Sequence, residues 1–283
     1  GESGSGKSQL MLGIMGLLAK NGTISGSVKF NGRELTNLNK KELNKIRGHK
    51  ISMIFQDPMT SLNPYLTIER QMTEVLMLHK GMDRKTARKE SIHMLDLVKI
   101  PDSKNRMDMY PHEFSGGQCQ RIGIARALIL DPKIIICDEP VSALDVFIQA
   151  QIVNLLKKLQ KELNLTLVFI AHDLSVVKHI CDRVMVMYLG KPVEIGEKNE
   201  IFRDPKHPYT KALLSAVPIP DPKLEREKIV QILHGDLPSP ISPPSGCTFR
   251  TRCPKASNQC SEMIPVLEQK KNTNVHVSCL NVI

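Results

Sequence analysis

The sequence predicts an α/β protein with a mostly parallel core sheet, a helical insertion and a small Cys-rich extension, and three observations carry that prediction. A phosphate-binding signature, G-x-x-x-x-G-K-[ST], runs from Gly1 to Ser8. Strand-sized apolar runs, "KISMIF" (50–55), "KIIICDEP" (133–140), "LTLVFIA" (165–171) and "VMVMY" (184–188), alternate with stretches of helical periodicity. Four cysteines crowd residues 247–279 behind a Pro-rich stretch.

A chain of 283 residues, 41% hydrophobic and 24% charged, suffices for one large α/β domain and an appendage. No apolar run approaches the length of about 18 residues that a membrane helix needs. The net charge of +10 comes from lysines spread along the chain, with short clusters such as "NKKELNK" (39–45), and reads as a solvated basic surface rather than a nucleic-acid site. The absence of Trp and an aromatic content of 4% argue against stacking platforms for single strands.

Taken in order, Gly1, Ser3, Gly4, Ser5 and Gly6 form a loop whose backbone N–H groups cradle phosphate oxygens at a helix N-terminus. Lys7 would reach the β- and γ-phosphates and Ser8 would bind Mg²⁺. The plain alternative is a Gly/Ser-rich tail followed by a chance lysine. The helix is expected to run to about Lys20, then an antiparallel ribbon over 25–35 turning at Asn31-Gly32, then the strand at 50–55. From about 57 to 130 a helical subdomain is predicted, with Ala87, Ile92, Leu95 and Val98 on one face of its second helix. Its last helix opens on Ser115, Gly116, Gly117 and Gln118, an ordinary cap or a second anion site, and places Ile122, Ala125, Leu128 and Ile129 at helical spacing. The strand Ile134 to Cys137 ends in Asp138 and Glu139. One carboxylate there suits the metal shell of Mg²⁺-ATP and the next can polarise an attacking water, although acidic pairs are also common at the mouth of any parallel sheet. Residues 131–217 return to the sheet and close with a helix around "TKALLSAV". The expected division is a nucleotide domain over 1–217, a Pro-rich linker over 218–246 and a Cys-rich region over 247–283.

Cys119, Cys137 and Cys181 read as small core residues. Cys247, Cys253, Cys260 and Cys279 follow C-x5-C-x6-C-x18-C, which lacks the C-x2-C pair of a typical structural zinc site. Zinc, a [4Fe–4S] cluster, disulfides and free thiols are the alternatives; a protein that draws on ATP would work in the reducing cytosol, which disfavours disulfides. Arg250, Arg252 and Lys255 would offset thiolate charge.

The P-loop, "MIFQDP" (53–58), "FSGGQ" (114–118), "IIICDEPVSALD" (134–145) and "TLVFIAHDL" (166–174), in that order, resemble the ATP-binding subunits of ABC transporters over about 210 residues. Phe114 stands where that family's signature usually begins with Leu. The resemblance implies that Gln56 senses Mg²⁺ and the lytic water, Asp138 joins the Mg²⁺ shell, Glu139 is the catalytic carboxylate, Ser142 to Asp145 form the D-loop, and His172 steadies the γ-phosphate. It also implies that the Ser115–Gln118 turn of one subunit covers ATP bound by the P-loop of another. "SLNPYLTI" (61–68), "YPHEFSGGQ" (110–118), "VSALDVFIQAQIVNLLKKLQ" (141–160), "DPKHPYTKALLSAVPIP" (204–220) and "SGCTFRTRCP" (245–254) extend the likeness to the oligopeptide/dipeptide importer ATPases, nearer the second of their two paired subunits.

That likeness implies a heterodimer with a second ATPase subunit, two permease subunits, an extracellular solute-binding protein acting indirectly, no nucleic acid, and peripheral attachment to the cytoplasmic face of the membrane. Within the group it favours [4Fe–4S] over zinc at the four cysteines. A nickel or other small-solute importer is the nearer alternative. DNA-repair and translation ATPases are more distant, since only 107 residues part Lys7 from Ser115 and a single head is present. The family places a central strand and an adenine-stacking aromatic ahead of the P-loop. Neither stands here and the first residue is not Met, so the sequence reads as a fragment missing several tens of residues, expected to bind ATP weakly and fold poorly.

Overall fold

The computed structural model of the chain describes residues 1–219, 221–270 and 273–281. These fall into two compact units, Met11–Ala171 and Gly1–Leu10 with His172–Ile283.

The Met11–Ala171 unit holds two sheets and the helical subdomain. Strands β1 (Lys29–Phe30) and β2 (Arg33–Glu34) form the antiparallel ribbon, joined through Asn31 and Gly32 at φ 49° and 77°. Left-handed φ at both turn positions is what a two-residue hairpin needs, and Asn-Gly supplies it cheaply. The ribbon is shorter than 25–35 because Glu34 turns back on the chain, accepting from the hydroxyls of Ser27 and Thr36 and the N–H of Val28. Those hydrogen bonds, the one from Ser27 foremost, hold its carboxyl down at about 2.

Strands β3 (Ile51–Ile54), β4 (Ile134–Asp138) and β5 (Thr166–Ile170) form a parallel sheet in that order, with Ile51 opposite Ile134 and Asp138 opposite Ile170. The central strand reads as an unbroken apolar run because both its faces are covered. Ile51, Ile136 and Ile170 pack with Met11, Met15, Leu35 and Ile46 into one buried cluster. The helix Lys7–Ile14 stops short of the expected Lys20 because Gly16, at φ 61°, closes its end, with Leu17 N–H donating to Leu12 O at 2.8 Å.

The helical subdomain comprises Pro58–Ser61, Ile68–Lys80, Arg84–Leu97, Ser103–Arg106, a 3₁₀ turn Pro111–Glu113 and Gly116–Leu128. Thr67 and Asp83 cap the two long helices, accepting from the N–H groups of Arg70, and of Lys85 and Thr86. Ala87, Leu95 and Val98 are buried as the spacing requires, whereas Ile92 is half-exposed and Met94 takes its share of the face. Buried Glu69 pairs with Arg84 at 3.2 Å and Arg88 at 2.7 Å, and Arg88 also grips Asp108, so a charged clasp ties the subdomain's helices together.

In the other unit, β6 (Arg183–Tyr188) and β7 (Lys191–Glu197) form a hairpin closed by Leu189 and Gly190 at φ 44° and 76°. Strands β8 (Glu268–Gln269) and β9 (His276–Val277) complete an antiparallel sheet in the order β6-β7-β9-β8, with Glu194 opposite Val277. The "VMVMY" run is thus half of an antiparallel hairpin, and the Cys-rich segment lends strands to the other half. Tyr188, Tyr209 and Phe249 pack as a buried aromatic triad, with centroids 4.8, 5.1 and 5.5 Å apart. The "DPKHPYT" motif builds its socket. Buried Glu194 accepts from the backbone of Lys206 and His207, His207 Nδ1 accepts from Tyr209 N–H to start the helix Pro208–Ser215, and Phe249 leans on the His207 ring at 5.5 Å.

Candidate nucleotide site

In the unit that contains Gly1–Leu10, the loop ahead of the helix turns through two left-handed glycines. Gly4 and Gly6 sit at φ 78° and 88°, which side-chain-bearing residues rarely adopt. A Cβ on Gly1 would meet Met187 O at 2.1 Å, and one on Gly6 would meet Gly190 Cα at 3.2 Å. Gly190 N–H donates to Ser5 O, so the β6–β7 turn braces the loop. Lys7 Nζ donates to the carbonyls of Gly1 and Glu2 at 3.0 and 3.1 Å and lies 3.4 Å from Ser5 Oγ. The ammonium therefore hangs over the loop's own interior, and Ser8 lies in the first turn of the helix. His172 is exposed, one residue before Asp173, which caps the helix Leu174–Ile180.

Within Met11–Ala171, Asp138 ends β4 and is buried at 6% exposure. Glu139 follows with φ 45°, a left-handed conformation costly for a residue with a side chain, held by its N–H donating to Ile170 O at 3.0 Å. Its Oε2 accepts from Gln56 Nε2 at 3.0 Å, and Ser142 Oγ donates to its carbonyl. The geometry thus joins residues 83 positions apart that spacing alone cannot connect. Asp145 caps the helix Val146–Glu162 by accepting from Ile148 N–H.

Ser115 and Gln118 form a reciprocal capping box at the head of Gly116–Leu128. A Cβ on Gly117 would fall 2.8 Å from Ile148 Cγ2, and one on Gly116 3.7 Å from Leu144 Cδ2. The two glycines thus let this helix end approach the segment around Asp145 closely. Of the two readings of Ser-Gly-Gly, the geometry shows the cap.

Cys119 and Cys137 are buried as core residues, while Cys181 is only half-buried, its thiol pushed up to about 11 by burial. Cys247 N–H donates to Cys260 O at 2.8 Å. Burial raises the thiols of Cys247, Cys253 and Cys279, and the neighbouring cysteines raise each of them further. At Cys260 the upward push of burial is outweighed by hydrogen bonds from Ser257 and Asn281, and its thiol falls below the ordinary range. Among the described residues no three such donors are set at metal-holding distances, so the geometry lends the cluster expectation no support.

Two long-range contacts to Glu2 were not foreseen from the sequence. Arg252, expected to offset thiolate charge, instead grips Glu2 inside the P-loop, with Nη1 to Oε2 at 2.8 Å and Nη2 to Oε1 at 3.3 Å. Tyr209 Oη accepts from Glu2 N–H at 2.7 Å. Partners 250 and 207 residues apart leave no periodic trace in a sequence.

Residues 1–142 match the ABC transporter family, and residues 193–260 match the oligopeptide/dipeptide transporter C-terminal region. The oligopeptide transport ATP-binding protein OppF of Escherichia coli is 56% identical over 283 residues, spanning 100% of this chain and 82% of that protein. OppD of the same organism, also described as an oligopeptide transport ATP-binding protein, is 54% identical over 268 residues, 95% of this chain and 79% of that one. Among solved structures, a dimeric ATP-binding cassette in a post-hydrolysis state bound to ADP and Pi superposes with a TM-score of 0.61 at 32% identity, covering 70% of this chain and 82% of its own.

Proposed function

The chain belongs to the ABC transporter ATP-binding family, and on that premise we propose that it hydrolyses ATP as the motor subunit of an oligopeptide importer. The observation that carries the reading is the Gln56–Glu139 hydrogen bond at the end of the parallel sheet, beside buried Asp138. A buried carboxylate at a strand end, next to a second one held in a left-handed backbone, is a costly arrangement that a purely structural sheet does not require.

Ser8, Gln56 and Asp138 offer a hydroxyl, an amide and a carboxylate, the hard oxygen donors that suit Mg²⁺. The ion would neutralise phosphate charge when bound. The N–H groups of Gly1, Ser3, Gly4, Ser5 and Gly6 bind the phosphate oxygens. Lys7 leaves its carbonyl partners for the β- and γ-phosphates. Glu139, oriented by Gln56, polarises the attacking water and takes its proton, and His172 steadies the γ-phosphate. Ser115, Gly116, Gly117 and Gln118, with Asp145, serve the nucleotide of a second ATPase subunit. Val146 and Phe147, apolar and exposed beside Asp145, support a protein neighbour on that face.

By the family likeness the subunit would act on permease partners from the membrane's cytoplasmic face; no helix among the described residues is long and apolar enough to cross a membrane. The transported solute follows the relatives' names, oligopeptide. The reading of Cys247, Cys253, Cys260 and Cys279 as ligands of a [4Fe–4S] cluster rests on family likeness alone. Iron and sulfide analysis of anaerobically purified full-length protein tests it: about four of each per chain supports the cluster, and stoichiometric zinc or four alkylatable thiols overturns it.

Glu139→Gln keeps size and removes the charge that polarises water. In the assembled transporter it is expected to cut ATP turnover by at least about a hundredfold while nucleotide still binds. Hydrolysis near the parent rate would remove Glu139 from the reaction.

A further inference from the structure

Three contacts converge on Glu2, all within the unit formed by Gly1–Leu10 and His172–Ile283. Its N–H donates to buried Tyr209, its carbonyl accepts from Lys7 Nζ, and its carboxylate lies in the fork of Arg252. Arg252 is itself immobilised. It is largely buried and stands between Cys247 and Cys253, three residues from Phe249, which is sealed against Tyr188, Tyr209 and His207.

A carboxylate beside a triphosphate site is a liability. Unpaired, it repels the incoming phosphates, and it has Lys7, already bonded to its own carbonyl, within easy reach as a competing partner. A bidentate guanidinium removes both problems, because it cancels the charge and fixes the side chain away from the lysine.

We propose that Arg252 is a positioning residue of the nucleotide site: by holding and neutralising Glu2 it keeps Lys7 available for phosphate, so that the Cys-rich segment sets the affinity of the P-loop for ATP. This rests on the reading of Gly1–Ser8 as the ATP site. It also gives the C-terminal segment a task in the motor that does not depend on what its thiols carry. The carboxylate is the harmful party, so neutralising it repairs the loss of the arginine.

The test is mant-ATP titration of the full-length subunit, together with the KM and kcat of the intact transporter. Arg252→Ala is expected to raise the Kd and KM for ATP about tenfold with kcat within about twofold of the parent. Adding Glu2→Gln returns the Kd to within about threefold, and Arg252→Lys falls between. Melting curves taken alongside separate affinity from folding; if Arg252→Ala does not fold, the Arg252→Lys and double variants carry the test. An unchanged Kd in Arg252→Ala, or a loss that Glu2→Gln fails to relieve, overturns the clamp and leaves the motor reading standing. Failure of the parent subunit to bind mant-ATP overturns both.

Discussion

Lys7 and His207 illustrate how single side chains divide between chemistry and architecture. Lys7 spends its hydrogen bonds on Gly1 and Glu2, partners that phosphate oxygens outcompete by carrying full charge. Lys7→Ala is therefore expected to weaken ATP binding by one to two orders of magnitude, unlike Glu139→Gln, which spares binding; equal defects in both would contradict the assigned roles. His207 is almost wholly buried, and burial pushes its imidazole down from 6.5 to about 4. Between those values the unfolded chain binds a proton that the folded chain refuses, so stability present above pH 6.5 is lost as pH falls toward 4, by on the order of 3 kcal/mol. Glu194, raised by burial, works in the opposite sense, which is why the comparison is made against His207→Asn, whose amide oxygen can still accept from Tyr209 N–H. The difference between the two melting profiles over that pH window isolates the imidazole. Parallel profiles would mean that it does not titrate as described.

At the scale of elements, the helix Gly116–Leu128 shows what was legible in the sequence and what was not. Its capping box could be read from Ser115 and Gln118, and its buried stripe from the spacing of Ile122, Ala125 and Leu128, because both are local rules. The need for Gly117 could not, since the atom that excludes a side chain belongs to Ile148 on another helix. Gly117→Val forces those helices apart and should cost about 1–3 kcal/mol in stability, read as a lowered melting temperature. Parallel strands β3, β4 and β5 announced themselves as apolar runs, whereas the antiparallel pairing of β6, β7, β8 and β9 did not. A run such as "VMVMY" fits either kind of sheet, and β8 and β9 are two residues each. The P-loop helix ended early for a reason in plain sight, Gly16, whose left-handed turn the periodicity beyond it obscured.

For the molecule as a whole, the reading depends on two subunits sharing ATP. Ser115→Arg leaves this chain's own P-loop unaltered and places a bulky cation where a partner's nucleotide would lie. Hydrolysis at the partner's site should fall at least about tenfold, with nucleotide affinity at this chain's site unchanged; a defect confined to this chain's own site would reverse that assignment. The residues proposed for the ATP site were legible as motifs because phosphate chemistry demands particular residue types at fixed spacing. The Arg252–Glu2 contact was not, because it is written only in the fold. The most direct measurement of the central claim is the ATPase rate of the full-length subunit assembled with its permease and partner ATPase subunits, with and without a binding protein loaded with oligopeptide. Stimulation by the loaded binding protein that Glu139→Gln abolishes is the expected result; a rate indifferent to peptide, permease and Glu139 alike would contradict the account.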